Sequence, residues 1–90
     1  RSQEVLTKYH GEDRVFYEVI RRARNRRHTN DMTVEYLRGL WEAQGQCCAL
    51  TGIGLVLTGT DPVVRASLDR IDSKLGYVEG NVQFVSCSIN

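Results

Sequence analysis

The sequence predicts an α+β fold in which N-terminal helices pack on a C-terminal part built around short strands. Apolar residues recur at helical spacing within 13–23 and again within 34–41. In residues 66–72, Ser67 and Asp69 instead alternate with Leu68 and Arg70, as the two faces of a short strand do. Ninety residues suffice for one small domain, which we divide into a basic helical part, 1–31, and a second part, 32–90.

Three helices are predicted in the first half. Residues 1–10 form a short amphipathic helix that ends at Gly11, and Asp13 caps the second helix. Thr33 caps the third, which Gln44-Gly45 closes. One apolar face of this third helix carries Val34, Leu37, Leu40 and Trp41, and we expect Trp41 to lie in the core.

Charge is distributed unevenly along the chain. Residues 1–28 carry eight Lys or Arg against four Asp or Glu, a net charge of +4, and the remainder carries four against seven, a net charge of −3. This asymmetry predicts one element that meets phosphate and another that binds metal. No apolar run is long enough to span a membrane, and the start of the chain does not resemble a signal peptide, so we expect an intracellular protein without a membrane partner.

A run of arginines ends the second helix: Arg21, Arg22, Arg24, Arg26 and Arg27. Such a run can be a solvated helix end, because basic residues complement the helix macrodipole there. Five arginines exceed what capping needs, so we favour a surface that contacts the phosphate backbone of DNA. No aromatic residue interrupts the run, and base readout is therefore not expected from it.

Residues 46–57 predict a β-hairpin, with apolar residues on both sides of a glycine-containing turn. The three cysteines, Cys47, Cys48 and Cys87, form no complete Cys-x-x-Cys pair. A structural zinc is therefore unlikely on this sequence, and packed thiols are the better interpretation. Packing under Trp41 would then hold the hairpin.

The C-terminal half contains a strand, a loop and a further predicted helix. Ser67 and Asp69 share one face of the strand, opposite Leu68 and Arg70. Glycines in 74–80 predict a loop. Residues 81–90 place Val82, Val85 and Ile89 at helical spacing, which predicts a last helix capped by Asn81. Oxygen ligands from strand and helix would suit a hard divalent cation.

The order of these residues resembles the HNH endonucleases, also called His-Me finger or ββα-metal nucleases, and their phage and mobile-element branch in particular. The resemblance begins at Met32 and rests on five pieces of sequence: Cys48-Ala49-Leu50-Thr51-Gly52, Ser67-Leu68-Asp69-Arg70-Ile71-Asp72, Gly76-Tyr77, Gly80-Asn81-Val82-Gln83 and Asn90.

The resemblance implies a ββα-metal unit and metal-dependent cleavage of DNA phosphodiester bonds, in a protein that could be phage-encoded and act inside a bacterial host. Asp69 falls at the family's metal-binding acid and Asn90 at its second metal ligand. Asn81 falls at the position that steadies the loop. The implied cofactor is Mg²⁺, with Mn²⁺ as a substitute, and Lys74 would add a contact to DNA.

Arg70 occupies the position of the family's general-base His, and an Arg keeps its proton at neutral pH. Three alternatives stand. Asp72 or Tyr77 acts as the base, or the ion alone activates the water. Arg70 instead clamps the phosphate and stabilises charge in the transition state. In the third, the chain binds DNA with little or no cleavage.

Each site residue also has an ordinary explanation. Asp69 and Arg70 could form a surface ion pair, Asn81 could be only a cap, and Asn90 only a chain end. Their occurrence together, in the family's order, favours the nuclease. The leading alternative is a non-catalytic DNA-binding module that keeps the fold.

Overall fold

The structure is a computed structural model that describes residues 11–25 and 31–90, and it is an α+β fold, as the sequence predicts. Helix α1 spans Glu12–Asn25 and helix α2 spans Val34–Ala43. Strand β1 spans Ala66–Arg70, strand β2 spans Val82–Ser86, and a 3-10 turn, Cys87–Ile89, follows β2. The helix predicted over 1–10 lies outside the described residues. Neither helix in this part of the chain is long and apolar enough to cross a membrane.

Helix α2 forms as its sequence predicts. The Thr33 side chain accepts a hydrogen bond from the Tyr36 amide at 3.1 Å, and Gln44 closes the helix. Gly45 follows with φ of +67°, a backbone conformation that costs glycine little. Helix α1 begins at Glu12, so Asp13 lies inside the first turn rather than capping it.

Asp13 makes an ion pair that joins the two helices. The Arg38 guanidinium donates to both carboxylate oxygens, at 2.9 Å from Nε and 2.7 Å from Nη2. These hydrogen bonds hold the pKa of Asp13 below its usual 3.8, against a smaller opposing effect of burial. A carboxyl whose pKa is lower in the folded state stabilises the fold above its unfolded pKa, and this stabilisation is lost as pH falls through the folded pKa.

We therefore expect Asp13→Asn to lower the melting temperature near neutral pH and to lower it less as pH falls below 3.8. Thermal unfolding followed by circular dichroism across this range measures the effect. Arg14→Gln removes an exposed pair with Glu18 on the same helix and serves as the control. A difference in melting temperature that does not change with pH would contradict this role of the ion pair.

Strands β1 and β2 form an antiparallel pair that places Asp69 and Ser67 on one face. Leu68 lies opposite Phe84, and both are buried on the face that meets the helices. Asp69 lies opposite Gln83. Because successive side chains alternate across a strand, Asp69 and its neighbour Ser67 lie on the other face.

One cluster of buried apolar side chains holds the helices and strands together. Phe84 of β2 is at its centre, with the Trp41 ring 5.3 Å away in an edge-to-face arrangement and the Phe16 ring 5.9 Å away. Such aromatic pairs stabilise the fold by about 0.5–1.5 kcal/mol beyond the area that they bury. Trp41 is 2% exposed, so its predicted place in the core is confirmed.

The helix predicted over 81–90 is wrong. Residues Val82–Ser86 form β2, and only the short 3-10 turn follows. Four of the five β2 residues are buried, so this strand lacks the alternation of a half-buried strand. The spacing of Val82, Val85 and Ile89 therefore resembled a helix although these residues belong to a buried strand and the turn beyond it.

The hairpin predicted over 46–57 forms only in part. One antiparallel bridge joins Cys47 to Gly54, and one parallel bridge joins Val56 to Arg65. A turn connects Cys47 to Gly54, and in it the Gly52 amide donates to the Cys48 carbonyl at 2.9 Å. Gln46 has a left-handed backbone, with φ of 59°, and its carbonyl accepts from the Leu55 amide at 2.7 Å.

Candidate metal and phosphate site

Asp69 is held on the outer face of β1 by its cross-strand neighbour. The Gln83 Nε2 donates to Asp69 Oδ2 at 3.1 Å. This bond uses one of the two carboxylate oxygens. The Asp69 side chain is half-buried. The hydrogen bond orients the carboxylate and leaves Oδ1 for another ligand.

Asn90 reaches the same face of β1. Its Nδ2 donates to Ser67 Oγ and to the Leu68 carbonyl, the latter at 3.3 Å. Both bonds use the amide nitrogen, so the amide oxygen Oδ1 remains for a ligand. Ser67 and Asp69 are two residues apart on one face, a separation of roughly 6.6 Å along the strand. Asn90 therefore binds the strand that carries Asp69, at a residue two positions before it on the same face.

A carboxylate and an amide oxygen are the ligands that hard cations take. Mg²⁺ commonly uses one or two carboxylates and completes its shell with water and substrate phosphate. Asp69 with Asn90 fits this pattern. Within residues 11–25 and 31–90, no group of three or more His, Cys, Asp or Glu could hold a metal ion.

Asn81 organises the loop between the strands instead of capping a helix. Its Oδ1 accepts from the Asp72 amide at 2.9 Å, and its Nδ2 donates to the Asp72 carbonyl at 3.1 Å and the Gly76 carbonyl at 2.9 Å. The side chain is 6% exposed. These three bonds close residues 72–76 into one turn, which we call the Asn81 loop.

Arg70 also faces this loop. Its Nη1 donates to the Ser73 carbonyl at 3.0 Å and to the Leu75 carbonyl at 3.3 Å, and its guanidinium lies 5.4 Å from the centre of the Tyr77 ring. Alternation along β1 places Arg70 on the opposite side from Asp69. These contacts are those of a residue that positions the loop.

Asp72 does not share a strand face with Arg70, because β1 ends at Arg70. Asp72 would share that face only if the strand continued, and it does not. Asp72 lies in the Asn81 loop, where its Oδ1 accepts from the Lys74 amide at 2.9 Å. Its carboxylate is exposed, just past the end of the strand that carries Asp69.

The basic residues predicted to contact DNA are partly described. Arg21 and Arg22 lie exposed near the end of α1, and Lys74 is exposed in the Asn81 loop. The side chain of Arg24 lies outside the described residues. Arg26 and Arg27 also lie outside them.

A groove separates α1 from β1. Its volume is about 390 Å³, and we call it the α1–β1 groove. Arg22 and Glu18 line it from the helix, and Arg65 and Ser67 from the strand side. Ser67, which lines the groove, is also the residue that Asn90 binds.

Cys48 is a buried thiol in the turn after α2. Burial raises its pKa, but hydrogen bonds from the Thr51 side chain and from the backbone of Ser86, Leu50 and Thr51 outweigh burial and lower the pKa from 9.0 to about 7. The same contacts tie the turn to the end of β2. Cys48 therefore has a packing role, and all three cysteines are free thiols.

Three further residues shape the site without a signal in the sequence. Gln83 orients Asp69, and Ser67 contacts Asn90. Gln44 binds both the amide and the carbonyl of Phe84, at 2.9 and 3.0 Å, and so pairs the backbone of β2 as a strand would. Each role follows from pairings between distant parts of the chain, which local spacing does not reveal.

No protein-family model matches the chain, and comparisons with curated proteins and with solved structures find no match. The likeness to HNH endonucleases therefore remains a resemblance. The described residues contain two antiparallel strands followed by a 3-10 turn, so the complete ββα-metal unit also remains a prediction.

Proposed function

We propose that this chain is a metal-dependent endonuclease of the HNH type that hydrolyses phosphodiester bonds in DNA. The observation that carries the proposal is that Asn90 binds Ser67, which shares one face of β1 with Asp69, while Asp69 and Asn90 each keep an oxygen for a ligand. The α1–β1 groove adds support, because Arg22, Arg65 and Ser67 all line it.

The proposed roles follow from the contacts of each residue. Asp69 and Asn90 would hold Mg²⁺, and Gln83 would keep the Asp69 carboxylate oriented. When bound, the ion would neutralise charge on the scissile phosphate and on the leaving oxygen. Asn81 and Arg70 would keep the Asn81 loop in place beside this site.

Asp72 is our candidate for the residue that accepts the proton of the attacking water. Its exposed carboxylate lies just beyond β1, and one oxygen remains after the bond from Lys74. Tyr77 is the weaker candidate, because the Arg70 guanidinium lies over its ring. Arg70, bound to loop carbonyls, is proposed as a positioning residue rather than a phosphate clamp.

Nicking of supercoiled plasmid tests the proposal. We expect relaxed circles to accumulate with Mg²⁺ or Mn²⁺ and not with EDTA, because the phosphate charge would then be uncompensated. Activity should fall as salt rises, since binding depends on phosphate contacts from arginine. Asp69→Ala, purified in parallel, controls for contaminating nucleases. Nicking that survives EDTA, or that Asp69→Ala retains, would rule the proposal out.

The second candidate is a DNA-binding module that does not cleave. The observation that favours it is Arg70, which stands where the family has its base and is held by the Ser73 and Leu75 carbonyls. This candidate predicts salt-dependent DNA binding with no nicking under any metal. The same assay therefore separates the two.

A further inference from the structure

We propose that the α1–β1 groove binds one unpaired nucleotide of the DNA strand, with its base on the groove floor and its phosphates on Arg22 and Arg65. This inference rests on the proposed nucleic-acid function and names the form of the substrate, a strand with at least one base outside a duplex. The argument uses the groove's size, its floor and the two guanidinium groups at its rim.

The size of the groove matches a nucleotide. Small-molecule sites have volumes of about 300–1,000 Å³ and combine apolar walls with a few polar groups. The groove's volume is about 390 Å³, and its apolar floor is formed by Val15, Val19 and Leu57. Such a floor suits the flat face of a base, whereas a phosphodiester backbone alone would leave it without a partner.

Both arginines are held in a way that leaves them ready for phosphate. Arg65 donates through Nε to the Cys87 sulfur at 3.3 Å, and Arg22 donates through Nε to the Glu18 carbonyl at 3.5 Å. Within the part of the chain that the structure describes, these bonds leave the paired Nη groups of each guanidinium for an anion. The Glu18 carboxylate also lines the groove, and Arg14 pairs with it at 3.5 Å.

The groove's position links it to the proposed chemistry. Ser67 lines the groove and contacts Asn90, so a strand that leaves a nucleotide in the groove would continue toward Asp69. A base stacked inside a duplex cannot reach the floor without leaving the stack. The groove therefore favours single-stranded DNA, or DNA with an unpaired base next to the cleaved bond.

The test measures binding in EDTA, so that its result does not depend on cleavage. The probe is a short fluorescein-labelled oligodeoxynucleotide, compared by anisotropy with a strand of equal length built only of abasic sugar phosphates. We expect the strand with bases to bind about fivefold more tightly or better, because the abasic strand keeps the charge but loses the contact with the floor. Equal affinity for the two strands would overturn the proposal.

Arginine variants test whether DNA binds in the groove or to the basic surface of the protein in general. Arg22→Gln and Arg65→Gln should each reduce the slope of log affinity against log salt by about 0.7, the value for one phosphate contact on a single strand. Arg14→Gln is the matched control, since Arg14 is exposed on the same helix, does not line the groove and is not among the arginines predicted to contact DNA. A loss with Arg14→Gln as large as that with Arg65→Gln would contradict a groove site.

Val19→Thr tests the floor itself. It keeps the shape of the side chain and adds a hydroxyl to the apolar surface, so it should reduce the preference for the strand with bases and leave the salt slope unchanged. Circular dichroism melting confirms that the variant folds. If the variant folds and the preference stays at its wild-type value, the base does not lie on this floor. A protein that fails the nicking assay can still pass these binding tests, so failure of the proposed cleavage would be distinguished from failure of the groove.

Discussion

Replacing Asp69 by Asn is expected to lower the rate of Mg²⁺-dependent plasmid nicking at least about 100-fold, a loss of roughly 3 kcal/mol of transition-state stabilisation. The substitution keeps the shape of the side chain and removes its negative charge. Because Gln83 lies opposite Asp69 and can rotate its amide to offer oxygen, the cross-strand hydrogen bond can re-form. The fold should therefore survive while affinity for the cation is lost.

The measurement compares initial nicking rates over a range of Mg²⁺ concentrations, with DNA affinity measured separately in EDTA. Affinity should change little, since the arginines of the groove are untouched. Glu79→Gln is the matched control, because it removes an exposed carboxylate from the loop side of the molecule, away from the outer face of β1. Wild-type nicking by the Asp69→Asn protein would remove Asp69 from the site, whatever the fold resembles.

The elements that the sequence predicted well are those whose signal is local. The Thr33 cap, the apolar face of α2 and the alternation through Ser67, Leu68 and Asp69 all appear within one turn or one strand. Their structures follow from neighbouring residues alone. The same holds for the placement of Trp41 in the core.

The elements that it predicted poorly depend on partners far along the chain. Residues 82–86 became a strand because β1 pairs with them and both of their faces are covered, which removes the alternation that marks a strand. Tertiary pairing overrode a spacing that resembled a helix. Ser67, Gln83 and Gln44 gained their roles in the same way, through contacts with residues between 14 and 40 positions distant.

The candidate site contains both residues that the sequence predicts and residues whose roles depend on distant partners. The motif order singled out Asp69, Asn81 and Asn90, and Asn90 binds Ser67 and Leu68 of the strand that carries Asp69, although the element that carries Asn90 was predicted as a helix. Reaching Ser67 requires only that the chain turn back after β2, which a 3-10 turn does as well as a helix would. The contacts of Arg70 could not be predicted from the sequence, because nothing in its spacing indicates that it binds the carbonyls of Ser73 and Leu75.

Asn81→Ala should be among the most destabilising substitutions outside the apolar core. The side chain makes three hydrogen bonds to the Asp72 and Gly76 backbone, and it is 6% exposed. Its removal leaves the Asp72 amide without its partner, whereas the Asp72 and Gly76 carbonyls still accept from the amides of Leu75 and Val78. The three lost hydrogen bonds, at about 0.5–1.5 kcal/mol each, predict a loss of roughly 3 kcal/mol in the free energy of unfolding.

Urea unfolding followed by the fluorescence of Trp41, the single tryptophan, measures this loss. Ser73→Ala is the matched control: it lies exposed in the same loop and keeps the carbonyl that Arg70 binds, so its effect should stay within about 0.5 kcal/mol. The segment that follows the Asn81 loop has two further anchors. The Gly80 amide donates to the Tyr36 hydroxyl at 2.8 Å, and the Glu79 amide donates to the Asp31 carboxylate at 3.0 Å. If Asn81→Ala unfolds at the same urea concentration as Ser73→Ala, these anchors and Arg70 hold the loop, and Asn81 is not needed to keep Asp72 beside the site.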